Sequence, residues 1–217
     1  MDKIFTISYL ISLILLIRVT FLNHNKYRFL LKIIACSHFL GLGIVSVLIK
    51  DVSLLEYLLL IGLIFSFIGD IFLGLKNSIK TGFILGVSSF SIAQLYYLLY
   101  FQMSYFSIIP FILSIVFMLI VYRYIRNNSK IEFPSKAYFL FIYIFLLSST
   151  LFSSIENLIQ YHNELNLILM LGCVLFFISD ITLFHVYFLK KKINIHKIIY
   201  LLSYHIAQLL IATFIFL

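Results

Sequence analysis

The sequence predicts an all-α membrane protein with eight transmembrane helices, arranged as two parallel four-helix repeats. Of the 217 residues, 63% are hydrophobic and only 11% are charged, whereas soluble domains carry about 25% charged residues. Apolar runs of about 20 residues, the length that a helix needs to cross the hydrocarbon of a bilayer, recur along the whole chain. We therefore expect a single transmembrane domain over 1–217, with repeat halves of about 1–103 and 104–217.

Charge supports the same number of spans. If the helices alternate in direction, only Lys3 and Lys50 of the 16 Lys and Arg residues fall on one side of the membrane. Cytoplasmic loops are enriched in Lys and Arg, so both termini are expected outside, in a membrane such as a bacterial plasma membrane. The net charge of +8 then follows from topology and attraction to anionic lipids, and no nucleic-acid partner is expected. The predicted helices cover 4–22, 29–49, 54–75, 82–102, 105–125, 137–157, 165–189 and 197–217.

The third and seventh predicted helices repeat each other. Residues 61–71 align with 171–181, and Asp70 then coincides with Asp180. Apolar residues match by chance between any two membrane helices, whereas a match between two aspartates is not expected by chance. The alignment therefore predicts a duplication.

The following helices extend the repeat. Residues 89–95 align with 203–209, and Gln94 then coincides with Gln208. The copies are four spans apart, an even number, so they have the same orientation in the membrane. This is the parallel type of repeat rather than the inverted type.

Asp70 and Asp180 are the acidic residues set well within predicted spans. An ionisable group there costs at least ~2.5–3.5 kcal/mol on insertion scales and is a functional hypothesis by default. Gly62, Ser66, Asp70 and Gly74 recur every four residues and form one small, polar stripe. We therefore expect both carboxyls to border a cavity in the cytoplasmic half, where they share a proton and supply one acid and one base. The alternative is that they only hydrogen-bond between helices.

Other polar residues have simpler interpretations. Lys32 is expected to extend to the cytoplasmic headgroups, with phosphate binding as the alternative. Cys36 and Cys173 lie inside apolar segments and are expected to be small core residues. The sequence contains no metal-binding, nucleophilic-triad or glycine-rich phosphate motif, so neither a metal nor a cofactor is expected.

At these residues the sequence resembles the YhhN family of membrane lysoplasmalogenases, over nearly the full chain. The matching positions are Lys32, Gly69-Asp70 with Leu73, the run Phe83, Gly86, Phe90, Gln94 and Tyr97, then Tyr143, Ser179-Asp180, Tyr204 and Ala207 to Ile211. Two positions depart from the family pattern: Ile33 replaces a proline, and Gln94 replaces a histidine. The second departure removes a titratable group beside the expected site.

The resemblance implies hydrolysis of the vinyl ether bond of lysoplasmalogens, which gives a fatty aldehyde and a glycerophospho-headgroup compound. Its expected partners are therefore a lysophospholipid substrate and membrane lipids. This reaction protonates a carbon and then adds water, so a carboxylic acid can supply the proton and a carboxylate can activate the water. The sequence does not indicate which aspartate takes which role. The expected site has Asp70 and Asp180 as catalytic residues, with Lys32, Ser66, Gln94, Tyr97, Tyr143, Ser179, Tyr204 and Gln208 binding substrate or lining the site.

Two other functions remain open at this point. A proton-coupled transporter or lipid-handling carrier also suits parallel repeats with buried polar groups, although the two prolines, Pro110 and Pro134, do not predict broken helices beside either aspartate. A membrane scaffold or lipid sensor would retain the fold without the chemistry. The loss of histidine at Gln94 favours that third interpretation, whereas the intact aspartates oppose it.

Overall fold

The computed structural model describes residues 3–22, 25–133, 138–191 and 193–217, and Pro134 lies outside them. The described residues form eight α-helices, which confirms the predicted number. Their bounds are α1 Lys3–Phe21, α2 Asn25–Ile49, α3 Leu54–Gly74, α4 Gly82–Ser104, α5 Ile109–Asn127, α6 Leu140–Tyr161, α7 Glu164–Phe188 and α8 Asn194–Phe216.

Seven of these helices, α2 to α8, are long and apolar enough to cross a membrane. The described part of α1, Phe5–Phe21, is a shorter apolar helix. Large apolar side chains cover the outside of the bundle, as a lipid-facing surface requires, and Leu48, Leu54 and Phe106 are at least 78% exposed. By length and composition the chain is a multi-pass membrane protein.

The fifth helix begins at Ile109, four residues later than predicted. Pro110 lies in its first turn, where the missing proline N–H needs no intrahelical partner. Before it, the Ser107 amide donates to Gln102 Oε1 over 3.1 Å, and the Ser107 hydroxyl donates to Glu156 Oε1 over 2.8 Å. These bonds hold a turn where the hydropathy pattern alone suggested helix.

The sixth helix ends at Tyr161, four residues beyond the predicted end. His162 follows with φ 48° in the left-handed region, a conformation typical of the residue that ends a helix. Asn157, the last predicted residue, is buried and donates to Ser104 Oγ over 3.2 Å. In the added turn, the Tyr161 hydroxyl donates to the Ser104 carbonyl over 2.8 Å. This contact to the end of α4 explains why the helix continues.

The closest helix pairs are α3 with α4 and α7 with α8. Gly62 of α3 faces the Tyr97 ring of α4, at a distance that leaves no room for a Cβ atom. In the second pair, a Cβ on Gly172 would lie 3.1 Å from Ile211 Cγ1. Glycine therefore allows each pair to approach closely, as small residues do in membrane helix packing.

The remaining contacts complete the bundle. In the first half of the chain, α1 packs on α2 and α2 packs on α3. In the second half, α5 packs on α6 and α6 packs on α7. Between the halves, α4 contacts α6 and α2 contacts α8. The central core lies where α3, α4, α7 and α8 meet, and its fully buried side chains include Leu63, Tyr97, Phe176 and Ile211. The aspartates of α3 and α7 lie beside this core.

Candidate active site

Asp70 is held by three donors from two neighbouring helices. Its side chain is only 3% exposed, and Oδ1 lies 2.7 Å from Lys32 Nζ on α2. The Tyr204 hydroxyl of α8 donates to Oδ2 over 2.6 Å, and the Cys36 thiol of α2 donates to the same oxygen over 3.0 Å. An ammonium and two further donors therefore converge on one carboxyl and tie α3 to α2 and α8.

The position of Lys32 corrects the expectation that it extends to the headgroups. Its side chain is 15% exposed and points to Asp70, with the ammonium 5.9 Å from the centre of the Tyr204 ring. Opposite charges attract each other more strongly in a low-dielectric interior than near water. The ammonium therefore gains more electrostatic energy from the buried carboxylate than from headgroups at the distant interface. Cys36 was expected to be only a core residue, and no sequence signal indicated its contact with Asp70.

Asp180 has a different environment. It is half-buried, and the Tyr143 hydroxyl of α6 donates to its Oδ2 atom. The carboxyl lies in the wall of a cavity of about 350 Å³, which is within the range of ~300–1,000 Å³ for ligand pockets. The two aspartates that match in sequence therefore differ in surroundings, because Asp70 is enclosed by protein donors and Asp180 borders open space.

The cavity is almost entirely apolar and lies among α4, α5, α6 and α7, with one residue, Leu73, from α3. Asp180 and Tyr143 are the polar pair in its middle section. Aromatic side chains form much of the wall: Phe83, Phe90, Phe117, Phe177, Phe184 and Tyr187. Such a cavity suits a hydrocarbon chain with one reactive polar position.

Phe90 separates the cavity from the Asp70 cluster. One side of this ring lines the cavity, and its centre lies 6.0 Å from that of the Tyr204 ring. Tyr204 in turn donates to Asp70. Asp70 therefore lies behind the cavity wall rather than in it.

The first and fifth helices differ in how they cover the bundle. α1 packs on both α2 and α8, where Tyr9, Leu13 and Leu16 are buried and the Tyr9 hydroxyl donates to the His205 carbonyl over 2.8 Å. α5 packs on α6, and its buried residues are only Pro110 and Ser114. In the described structure α5 is therefore a loosely packed part of the cavity wall.

The segment that follows α5 is hydrogen-bonded to the end of α7. Ile131 pairs with Leu189 in an antiparallel bridge, the Glu132 amide donates to the Phe188 carbonyl over 2.8 Å, and the Lys190 amide donates to the Lys130 carbonyl over 3.0 Å. These backbone bonds fix the segment to the end of α7. Ile131 and Phe133 of this segment also pack against a cluster that includes Phe188, one of the residues that line the cavity.

Four of the predicted site residues form a separate buried group. Ser66 Oγ lies 3.4 Å from the Tyr97 hydroxyl, which donates to Gln208 Oε1 over 3.1 Å. Gln94 borders a small void beside Tyr97 and Cys173 rather than the main cavity. Within the described structure, Gln94 Oε1 and Gln208 Nε2 have no hydrogen-bond partner.

Ser179 also lies away from the cavity, since its hydroxyl donates to the Tyr200 carbonyl over 3.0 Å and links α7 to α8. The structure thus brings Lys32 and Tyr204 to Asp70, and Tyr143 to Asp180.

Sequence reasoning missed the cavity wall from α5 and the rim residues Tyr187 and His185. Nothing in their local pattern distinguishes them from lipid-facing aromatic residues. Among the described residues, no group of three or more His, Cys, Asp or Glu is placed to hold a metal ion.

Comparison with known proteins gives one family. The model of the YhhN family matches residues 27–215, nearly the whole chain, and this confirms the resemblance found in the sequence. Searches of curated proteins and of solved structures give no significant match.

Proposed function

The chain belongs to the YhhN family, and from this premise we propose that it is a lysoplasmalogenase-like hydrolase. Its substrate is a lysophospholipid with a vinyl ether chain, and its products are a fatty aldehyde and a glycerophospho-headgroup compound. The observation that carries the proposal is the single carboxyl, Asp180, with its donor Tyr143, in the wall of an otherwise apolar cavity.

Asp180 is the acid of the first step. Its carboxylic acid gives a proton to the outer carbon of the vinyl ether, and the positive charge that develops is shared between the inner carbon and the ether oxygen. The Tyr143 hydroxyl stabilises the carboxylate that remains, because a hydrogen bond to a charged acceptor is stronger than one to a neutral acceptor. Positioned proton transfer of this kind contributes about 10²–10⁴-fold to a rate.

The same carboxylate is the base of the second step. Water adds to the inner carbon and gives its proton to Asp180, which restores the carboxylic acid. The hemiacetal then separates into the aldehyde and the glycerol hydroxyl, so that one water molecule is consumed per bond cleaved. A single carboxyl that acts first as acid and then as base is therefore sufficient for both reaction steps. In glycoside hydrolysis one carboxyl likewise switches from acid to base between steps.

Asp70 has a positioning role in this proposal. It joins α3 to α2 through Lys32 and Cys36, and to α8 through Tyr204. Phe90 and Tyr204 pack against each other, so the Asp70 cluster fixes the wall against which the substrate lies. The sequence predicted a pair of carboxyls that supplies one acid and one base, whereas this proposal assigns both roles to Asp180.

The loose packing of α5 at the cavity wall supports a substrate that arrives from the bilayer. The Phe117 and Phe177 rings, 5.4 Å apart between centres, are the contact between α5 and α7 at the cavity. A lipid chain that enters between these helices keeps its hydrocarbon out of water throughout.

We also propose that the chain arose by duplication of a four-helix unit, with both termini outside the cytoplasm. The neighbours of α1 to α4 have counterparts four helices later, including α3 on α4 with α7 on α8. Gly62 against Tyr97 and Gly172 against Ile211 are corresponding close approaches. The asymmetry of α1 and α5 would then leave a substrate cavity in only one half.

The transporter alternative receives less support. α3 and α7 continue as regular helices past Asp70 and Asp180, whereas transporters of the parallel or inverted repeat type commonly bind substrate at interrupted helices. An assay decides between the two functions. Purified protein in detergent should release aldehyde from an alkenyl lysophospholipid, and flux without aldehyde release in liposomes would instead establish transport.

A further inference from the structure

We infer that Lys76, where it lies over Tyr187 at the cytoplasmic rim of the cavity, is the binding site for the phosphate of the lysophospholipid. This inference rests on the proposed function and deepens it. The ligand is the phosphodiester of a lipid whose hydrocarbon chain occupies the cavity. Nothing in the reaction itself requires such a site, because the proton transfer takes place at Asp180.

The position of Lys76 is the first observation. It lies two residues beyond the apolar span Leu54–Gly74 of α3, and lipid phosphates are found at the ends of such spans. Its Nζ atom is 3.9 Å from the centre of the Tyr187 ring, and Tyr187 lines the cavity. The ammonium is thus one aromatic ring away from the space assigned to the substrate.

The surrounding charge is the second observation. Among the described residues, the charged groups that act electrostatically on the Tyr187 hydroxyl include the cations Lys32 and Arg28 and the carboxylate of Asp70, which is paired with Lys32. The Arg28 guanidinium donates to the Tyr200 hydroxyl. The loop that carries Lys76, residues 75–81, contains no acidic residue. A compact ammonium on a flexible stem is a common phosphate ligand.

Distance along α7 is the third observation. Asp180 and Tyr187 are seven residues apart, which is close to two helical turns, so they lie on one face and are separated by roughly 10 Å. In the substrate, about seven bonds join the carbon that is protonated to the phosphorus, an extended length of roughly 8 Å at the advance per bond of a polypeptide. A phosphate held by Lys76 therefore places the vinyl ether at Asp180.

Two substrates separate this inference from the proposed function. One is an alkenyl lysophospholipid, and the other is the matching alkenyl glycerol, which has the same reactive bond and no phosphate. We expect Lys76→Gln to raise KM for the phospholipid by about tenfold, the equivalent of ~1.4 kcal/mol of binding, and to leave KM for the alkenyl glycerol unchanged. Lys76→Arg should restore the phospholipid KM.

Lys80→Gln is the matched control, since Lys80 is an exposed lysine in the same loop. An equal change in both substrates, or no change in either, would overturn the site while leaving the hydrolase intact. Inorganic phosphate should not compete with the phospholipid, and competition by it would assign Lys76 to a free anion instead.

If wild type cleaves neither substrate, the proposed function fails and binding still tests the site. A fluorescent lysophospholipid should then bind wild-type protein in nanodiscs about tenfold more tightly than Lys76→Gln protein. Equal affinities would overturn the inference.

Discussion

The Lys32 ammonium lies 2.7 Å from the Asp70 carboxylate in the interior of the bundle. A buried ion pair of this kind is costly to break, because the remaining charge has no compensation in a low-dielectric environment. No cation among the described residues pairs with Asp180 in this way, and Asp180 faces the cavity with Tyr143. The ion pair therefore holds one aspartate in place and leaves the other to meet the substrate.

The first prediction concerns this ion pair. Lys32→Met should lower the free energy of unfolding by about 3–5 kcal/mol, because it leaves Asp70 charged and unpaired. The double variant Lys32→Met with Asp70→Asn should recover most of that loss, since neither charge then remains. Thermal unfolding in detergent measures both values. A double variant that is no more stable than Lys32→Met would contradict the assigned pairing.

The second prediction concerns Tyr143. Tyr143→Phe removes the donor to Asp180 and should lower kcat by about 10- to 100-fold, as expected for a hydrogen bond to a charged group worth ~1.5–3 kcal/mol. Tyr138→Phe is the control, because Tyr138 is 60% exposed just before the same helix. Steady-state aldehyde release compares the two variants, and equal kcat values would remove Tyr143 from the mechanism.

The third prediction tests what the cavity contains. Val121 of α5 lines it, and Val121→Trp should occupy part of the space and shift the preference toward substrates with shorter chains. Leu119→Trp adds the same ring on the exposed face of α5, where Leu119 is 58% exposed, and should leave the preference unchanged. Competition between chain lengths in one reaction gives the comparison. An unaltered preference in Val121→Trp would place the chain elsewhere.

The fourth prediction concerns the residue that departs from the family pattern. Gln94 borders the small void beside Tyr97 and not the main cavity, so Gln94→His should change kcat by less than about threefold, the modest effect expected away from the reacting atoms. A large gain in kcat would show that the missing histidine takes part in proton transfer. The unpaired Gln94 Oε1 atom is a reason to follow unfolding temperature in the same variant.

Much of this fold can be predicted from sequence because the membrane imposes it. Helix number follows from the length of apolar runs, and the aspartates stand out because a buried carboxyl is costly. The start of α5 could not be placed, since residues 105–108 are as apolar as a helix and the turn depends on side chains such as Ser107. Tertiary contacts decide such boundaries.

The inequality of the two aspartates was also beyond sequence analysis. Asp70 and Asp180 occupy matching positions, and α1 and α5 are similarly apolar. Only helix packing shows that α1 closes against α8 while α5 leaves a cavity next to Asp180. The direction of Lys32 likewise depends on a partner that lies on another helix.

The most direct test of the account is aldehyde release by the isosteric Asp180→Asn variant, measured beside wild type and the Lys32→Met with Asp70→Asn double variant. We predict that wild type releases aldehyde from an alkenyl lysophospholipid and that Asp180→Asn loses at least about a hundredfold in rate, as removal of a general acid requires, with its unfolding temperature unchanged. The double variant should retain measurable release. Aldehyde release that survives in Asp180→Asn, or its absence in well-folded wild type, would contradict the central role of Asp180.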